Sequence, residues 1–178
     1  GIPSPIMDLR IVDDAGSEQP WDNKAVGEIQ VRGPFITGSY HEVPQDPEKF
    51  TADGWLRTGD VAAIDAHGYI RIADRTKDLI KSGGEWISSV GMENQLMAHP
   101  SVQEAAVIAI PHPKWGERPL ACVVLKPGKT ATAEELRTHL AVTFAKWQLP
   151  DRFEYLDAIP RTSTGKFWKV KLRERFAA

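Results

Sequence analysis

The sequence has few of the features that anchor a protein in a membrane, cross-link it or bind zinc. Its 178 residues include one cysteine, Cys122, which excludes an internal disulfide framework and favours a reducing, cytoplasmic setting. No run approaches the roughly 20 apolar residues of a membrane-spanning helix, so we expect no transmembrane segment. The five histidines are scattered along the chain, and their spacing predicts no metal site.

The chain also lacks the marks of a complete secreted protein. It opens Gly1-Ile2-Pro3, without the basic and apolar segments of a secretory signal and without an initiator methionine. We therefore expect a cytoplasmic protein and a fragment of a longer chain. With 42% hydrophobic and 26% charged residues, the composition is that of a folded globular protein of one domain or two small ones.

Charge is divided unevenly along the chain, although the net charge is only −2. Residues 1–74 carry six Lys and Arg against thirteen Asp and Glu, whereas residues 75–178 carry sixteen against eleven. The first part is therefore acidic, at −7, and the second is basic, at +5, which favours an anionic ligand for the second part. Aromatic residues are not interleaved with the cations of the C-terminal segment, so nucleic-acid binding is not expected.

Two patterns of secondary structure predict an α+β protein. Residues 1–74 alternate as short antiparallel strands at 9–12, 28–32, 61–65 and 69–73, typical of part of a small distorted barrel. Residues 79–178 predict a compact domain with a small, mainly antiparallel sheet and flanking helices. Its expected elements are strands at 79–81 and 85–87, a helix capped by Ser89, strands at 102–110 and 120–125, a helix begun by a Thr132–Glu135 capping box, a strand at 152–156 and a helix at 169–176.

Two polar clusters lie around the change in pattern. In Thr58-Gly59-Asp60 we expect a glycine turn that carries a carboxylate, which could accept hydrogen bonds from a ribose diol or form an ordinary Asx turn. Residues 74–78 carry four charges; the Arg75 guanidinium suits phosphate or ribose oxygens. A solvated linker with weak ion pairs is the alternative.

Two further clusters lie in the basic part. Gly83-Gly84 lets the backbone approach a ligand closely, or serves only as a hairpin turn, with Trp86 as a core residue. Residues 160–166 are expected to form a flexible polar loop that ends in Lys166, a lysine that could be brought to developing negative charge. An exposed turn is the alternative.

Together and in this order, the clusters resemble the acyl-CoA synthetases of the adenylate-forming superfamily. The resemblance rests on residues 27–33, 55–60, 74–86 and 160–166. The segments 85–89, 112–117 and 145–150 are most similar to medium- and long-chain fatty-acid CoA ligases. Such enzymes make an acyl-adenylate from a fatty acid and MgATP and then transfer the acyl group to coenzyme A, with rotation of the C-terminal domain between the two steps.

The resemblance implies a role for each matched residue. Lys166 would be the adenylation lysine, Asp60 and Arg75 nucleotide contacts, and Lys77 the hinge. The loop of Gly83, Gly84 and Glu85 would line the pantetheine channel. Trp86 would border the acyl tunnel.

The family's phosphate loop and its magnesium-binding glutamate have no counterpart here, so the Mg²⁺ ligands are expected outside this chain. We therefore expect the C-terminal part of a ligase that is inactive by itself: residues 1–74 from the β-barrel of the large N-terminal domain, a hinge at 75–78 and a mobile domain at 79–178. The alternative is a stand-alone, non-catalytic module that binds a nucleotide, coenzyme A or a protein partner. Exposed sheet edges of a truncated barrel could pair to form a homodimer.

Overall fold

The protein consists of two compact units, each with its own hydrophobic core. The computed structural model describes residues 1–39, 42 and 46–176, and the units are Gly1–Lys77 and Asp78–Ala178. The boundary falls inside the segment 75–78. The predicted α+β class is confirmed: the described residues form two mainly antiparallel sheets and three α-helices.

The first unit is a four-stranded antiparallel sheet. Its strands are β1 (Asp8–Val12), β2 (Gly27–Arg32), β3 (Leu56–Ile64) and β4 (Ile70–Arg75), and they lie in the order β1-β2-β3-β4. One face is closed by a cluster of Ile11, Ile29, Val31, Ala62 and Ile64. β1 and β4 are the edges of this sheet, so its membership of a barrel with strands outside the chain stays a prediction.

The second unit is built on a long hairpin. β7 (Val102–His112) and β8 (Gly116–Leu125) pair over almost their whole length. The short strands β5 (Ile80–Ser82) and β6 (Glu85–Ile87) join beside β8, and β9 (Arg152–Tyr155) pairs with β8 in parallel.

Helices cover both faces of this sheet. Helices α1 (Ser89–Met97) and α2 (Ala133–Leu140) lie on one face, over Val107, Ala121 and Val123. Helix α3 (Lys169–Phe176) lies on the other, over Ala106, Ile108 and Cys122. Successive residues of β7 thus supply opposite cores, because strand side chains alternate between faces.

Two predicted helix starts have different outcomes. The capping box is confirmed, since Thr132 Oγ1 accepts from the Glu135 amide and the Glu135 carboxylate accepts from the Thr132 amide. The cap of α1, in contrast, is Ser88 and not Ser89: Ser88 Oγ accepts from the Gly91 amide at 3.0 Å. Ser89 is the first helical residue, and it is buried. No helix of the described residues is long and apolar enough to cross a membrane.

Candidate functional site

Asp60 and Arg75 are neighbours on adjacent strands of the first unit. They are paired in the register of β3 and β4, and Arg75 Nε lies 3.3 Å from Asp60 Oδ1. The Arg75 side chain is 69% exposed and that of Asp60 36%, so the ion pair contributes under about 1 kcal/mol to stability. A ligand can therefore displace it at little cost. The carboxylate can accept from hydroxyl groups and the guanidinium can donate to oxygens.

The segment Thr58-Gly59-Asp60 does not form the turn that its sequence predicts. It is a bulge within β3: Gln30 pairs with Arg57 and Glu28 with Val61, so three residues of β3 lie opposite one residue of β2. Gly59 has φ +73°, a left-handed conformation that lets the strand bend and continue. The bulge places Asp60 beside Arg75.

Lys77 is exposed and is the last residue of the first unit. It lies in a turn that follows β4, and this turn is tied to the bulge because the Thr76 amide donates to the Gly59 carbonyl at 2.9 Å. The turn that contains the predicted hinge residue is thus held next to the Asp60–Arg75 pair.

Lys166 ends an exposed, hydrogen-bonded turn, which is the alternative that its sequence allows. The Thr162 amide donates to the Lys166 carbonyl at 2.8 Å, and the Gly165 amide donates to the Thr162 carbonyl at 2.9 Å. Arg161 fixes the turn from the side, since its guanidinium donates to the Gly165 carbonyl and to the Glu104 carboxylate. The Lys166 side chain is exposed, so its charge projects from a held backbone.

The helix that follows this turn is fixed by a buried ion pair. Lys169, the first residue of α3, places Nζ 2.7 Å from Glu93 Oε1 and 2.7 Å from Ser89 Oγ. The same Glu93 oxygen accepts from the Val107 amide at 2.8 Å. Lys169 therefore joins α3 to α1 and, through Glu93, to β7.

Gly83 and Gly84 form the two-residue turn of the β5–β6 hairpin. Ser82 pairs with Glu85, and the two glycines have φ +62° and +88°, as a type I′ turn requires. The Gly83 amide donates to the Trp115 carbonyl at 2.8 Å, and a Cβ at this position would lie 3.0 Å from Trp115 Cε3. Trp115 thus packs directly on the glycine loop.

Beside this loop is a cavity of about 390 Å³, whose lining includes Gly83, Glu85, Trp115, Arg118 and Trp147. The two tryptophans are 43% and 45% exposed, so they offer apolar faces to solvent. A second depression of about 690 Å³ lies beside α2 and contains none of the predicted site residues.

Arg118 lines the cavity beside the glycine loop. Its guanidinium makes a bidentate pair with Asp151, at 2.8 and 2.7 Å, and also donates to Ser82 Oγ and to the carbonyls of Trp147 and Leu149. The hydrogen bonds from Arg118 hold the pKa of Asp151 below its ordinary range, and the hydrogen bond to Asp151 raises the pKa of Arg118 in turn.

Trp86 is half-buried on β6 and is not a core residue. It is paired across the hairpin with Lys81, whose Nζ lies 5.7 Å from the ring centroid. Glu85 and Trp86 therefore flank the glycine turn on its β6 side, where both remain accessible.

The described residues contain no group of three His, Cys, Asp or Glu side chains placed to hold a metal ion. Of the five histidines, His41 lies outside the described residues.

Comparison with known proteins shows which proteins this chain resembles. Residues 91–166 match the AMP-binding enzyme C-terminal domain. A long-chain-fatty-acid–CoA ligase of Thermus thermophilus is 56% identical over 178 residues, covering 99% of this chain and 33% of the relative. A 3-methylmercaptopropionyl-CoA ligase of Ruegeria pomeroyi is 48% identical over 176 residues, covering 99% of this chain and 32% of the relative.

A solved structure agrees: ATP-bound MatB from Rhodopseudomonas palustris superposes with a TM-score of 0.87 at 34% identity, covering 99% of this chain and 35% of that protein. This chain is similar to acyl-CoA ligases. It corresponds to their C-terminal portion, and its second unit contains the match to the AMP-binding enzyme C-terminal domain. The chain spans about a third of the length of the ligases that it matches.

Sequence reasoning missed three features of the site: the Arg118 network, the Lys169–Glu93 pair and the two tryptophans of the cavity. Glu93 lies 76 residues before Lys169, and Arg118 lies 33 and 36 residues from Asp151 and Ser82, so no local spacing reports these contacts. Trp115 and Trp147 each lie in a segment that contributes to the family resemblance, and this was the available signal.

Proposed function

We propose that this chain is the C-terminal portion of a fatty-acid CoA ligase. Residues 1–74 belong to the β-barrel of its large domain, residues 75–78 are the hinge and residues 79–178 are the mobile domain. The longer protein is called the parent ligase below. The observation that carries the proposal is the Lys166 turn: it holds an exposed lysine on a fixed backbone, and the family match ends on this residue.

Lys166 acts in the first half-reaction. A carboxylate oxygen of the acid attacks the α-phosphorus of ATP, a new oxygen–phosphorus bond forms, and pyrophosphate leaves with the electron pair of the broken bond. Negative charge accumulates around the α-phosphate, and a held ammonium group stabilises it more in the transition state than in the substrates. Asp60 accepts hydrogen bonds from the ribose hydroxyls, while Arg75 donates to ribose or phosphate oxygens.

The second half-reaction uses the glycine loop. The domain rotates about Lys77, which withdraws Lys166 and brings Gly83, Gly84 and Glu85 to the pantetheine channel. The thiol of coenzyme A attacks the acyl carbon and loses its proton to solvent. A carbon–sulfur bond forms, the carbon–oxygen bond to AMP breaks, and AMP leaves with that electron pair. An open cavity beside Gly83 and Glu85 supports this assignment. Trp86, accessible beside the same turn, borders the acyl tunnel.

ATP and coenzyme A are substrates in this scheme, and no step is assigned here to Mg²⁺, whose ligands we place outside this chain. The fatty-acid substrate is supported by the Thermus thermophilus relative. The Ruegeria pomeroyi relative is a ligase for another acid, so acids of graded chain length must be compared. A cytoplasmic location and a homodimer remain predictions, to be checked by cell fractionation and by light scattering of the parent ligase.

The proposal is tested in two steps. An antibody against this chain should detect, in lysate of the source cells, a protein about three times longer, as the ligase relatives are. The purified parent ligase should then form acyl-CoA, AMP and pyrophosphate from a fatty acid, ATP and coenzyme A, whereas this chain alone should form none. A native band at the size of this chain, together with coenzyme A binding by it, would instead establish a stand-alone binding module.

A further inference from the structure

Arg118 is a buried cation in which every donor is used. Only 8% of the residue is exposed, and its hydrogen bonds go to Asp151, Ser82, Trp147 and Leu149. A guanidinium group carries five N–H donors, and the five hydrogen bonds match that number. A lysine has one nitrogen and could not reach the same acceptors. The site is therefore built for arginine.

The acceptors of Arg118 belong to separate segments of the second unit. Ser82 ends β5 and directly precedes the glycine loop, whereas Trp147, Leu149 and Asp151 lie between α2 and β9. The Ser82 hydrogen bond, from Arg118 Nη1 at 3.2 Å, is buried. It is the contact by which Arg118 reaches the β5–β6 hairpin.

The hairpin pairs with the rest of the sheet over a short stretch, and Ile80 and Ile87 anchor it in the hydrophobic core. β5 has three residues, and its register with β8 is the single pair Ser82–Gly116. Beyond this pair, three successive residues of the hairpin are held by residues 115–118. The Lys81 amide donates to the Glu117 carboxylate, Arg118 donates to Ser82, and the Gly83 amide donates to the Trp115 carbonyl. Side chains thus supply much of the attachment that a longer strand would obtain from its backbone.

We propose that Arg118 is a positioning residue for the glycine loop, acting through Ser82, and that it serves thioester formation and not adenylate formation. The inference rests on the proposed function, in which this loop lines the pantetheine channel. Loss of the Ser82 hydrogen bond does not change Gly83 or Gly84 themselves, but the glycine loop is then held less firmly in its position. A reaction that depends on alignment is sensitive to such a shift, since misplacement by about 1 Å can lower a rate by about 100-fold.

The decisive variant is Ser82→Ala, which removes the contact with the loop and keeps the ion pair with Asp151. In the parent ligase, single-turnover thioester formation from supplied acyl-adenylate should slow by about tenfold or more, with a higher KM for coenzyme A. Formation of acyl-adenylate should stay within about twofold of wild type. Arg118→Lys should likewise slow thioester formation and not adenylate formation. The double variant of Ser82→Ala and Arg118→Lys should be no slower than Arg118→Lys alone, because both substitutions remove the same Arg118–Ser82 hydrogen bond.

A measurement without catalysis separates this inference from the proposed function. In the 178-residue chain, Ser82→Ala should speed hydrogen–deuterium exchange at the Gly83 amide, while exchange in α2 stays unchanged. Unchanged exchange at Gly83, or equal loss of both half-reactions, would overturn the positioning role. If wild-type parent ligase makes no acyl-CoA, the proposed function fails instead, whatever the exchange data show about the loop.

Discussion

Lys169 Nζ lies 2.7 Å from Glu93 Oε1, and the two side chains are only 10% and 9% exposed. This pair fixes the start of α3 three residues beyond Lys166. Two charges removed from water are stable only as partners, because each compensates the desolvation of the other. The position of Lys166 therefore depends on a contact buried beneath the helix that follows it.

Breaking this pair should destabilise the second unit. Glu93→Gln keeps the size and an acceptor oxygen but leaves the buried ammonium group of Lys169 without its carboxylate, at an expected cost of about 3 kcal/mol or more. Glu134→Gln is the matched control: its carboxylate is 79% exposed in a pair with Arg137, so the cost should be under about 1 kcal/mol.

Cys122 supplies the readout for this comparison. It is the single cysteine of the chain, it is fully buried in the second unit, and burial raises its pKa to about 12. A thiol reagent should react only when this unit opens. A loss of about 3 kcal/mol corresponds to labelling about 100-fold faster. Equal labelling rates in Glu93→Gln and Glu134→Gln would contradict the buried-pair interpretation.

The two glycines of the hairpin turn should not be equivalent. Alanine at either position adopts a left-handed conformation, at about 1–2 kcal/mol. In Gly83→Ala the new Cβ also meets the Trp115 ring at 3.0 Å, whereas in Gly84→Ala no atom lies within 4 Å. Gly83→Ala should therefore destabilise by roughly 1 kcal/mol more than Gly84→Ala, as measured by Cys122 labelling. In a Trp115→Ala background the difference should vanish; if it persists, Trp115 is not its cause.

Local signals predicted the elements that depend on local structure. Helix α3 begins and ends where its sequence indicates, and the Thr132–Glu135 capping box is formed, because helix propensity and capping act over a few residues. The long hairpin was underestimated: β8 begins at Gly116, not 120. Glu117 and Arg118 are charged and so resemble loop residues. Their partners, Lys81 and Asp151, lie 36 and 33 positions away in the sequence.

The residues of the candidate site could be predicted from local motifs, but their contacts could not. Asp60, Arg75 and Lys166 could be singled out from their motifs, but not the geometry that holds them. Gly59 resembles the centre of a turn, and only the pairing of Glu28 and Gln30 on the neighbouring strand shows that β3 continues through it. Buried contacts of Lys169 and Arg118 join distant segments, which periodicity and spacing do not report.

The Arg118–Asp151 pair predicts how the free energy of unfolding depends on pH. The pKa of Asp151 is lowered in the folded state by hydrogen bonds from Arg118, so its contribution is full above its unfolded pKa of about 3.9 and is lost as pH falls toward the folded value. Asp151→Asn lacks this contribution at every pH. The difference in free energy of unfolding between wild type and Asp151→Asn should therefore shrink from pH 6 to pH 3.

Urea unfolding followed by circular dichroism at several pH values measures this difference. Other carboxylates titrate in both proteins, and their effects cancel in the comparison. A difference that stays constant between pH 6 and pH 3 would show that Arg118 does not stabilise the charged form of Asp151.

The role of Lys166 is tested most directly by Lys166→Ala in the parent ligase, with both half-reactions measured separately. Adenylate formation, followed as pyrophosphate release, should fall by about 100-fold or more, as when a charge-stabilising group is removed. Thioester formation from supplied acyl-adenylate should stay within about twofold of wild type, and Lys129→Ala, a lysine in another surface turn, should change neither. Equal loss of both half-reactions, or unimpaired adenylation, would contradict the assignment of Lys166 as the adenylation lysine.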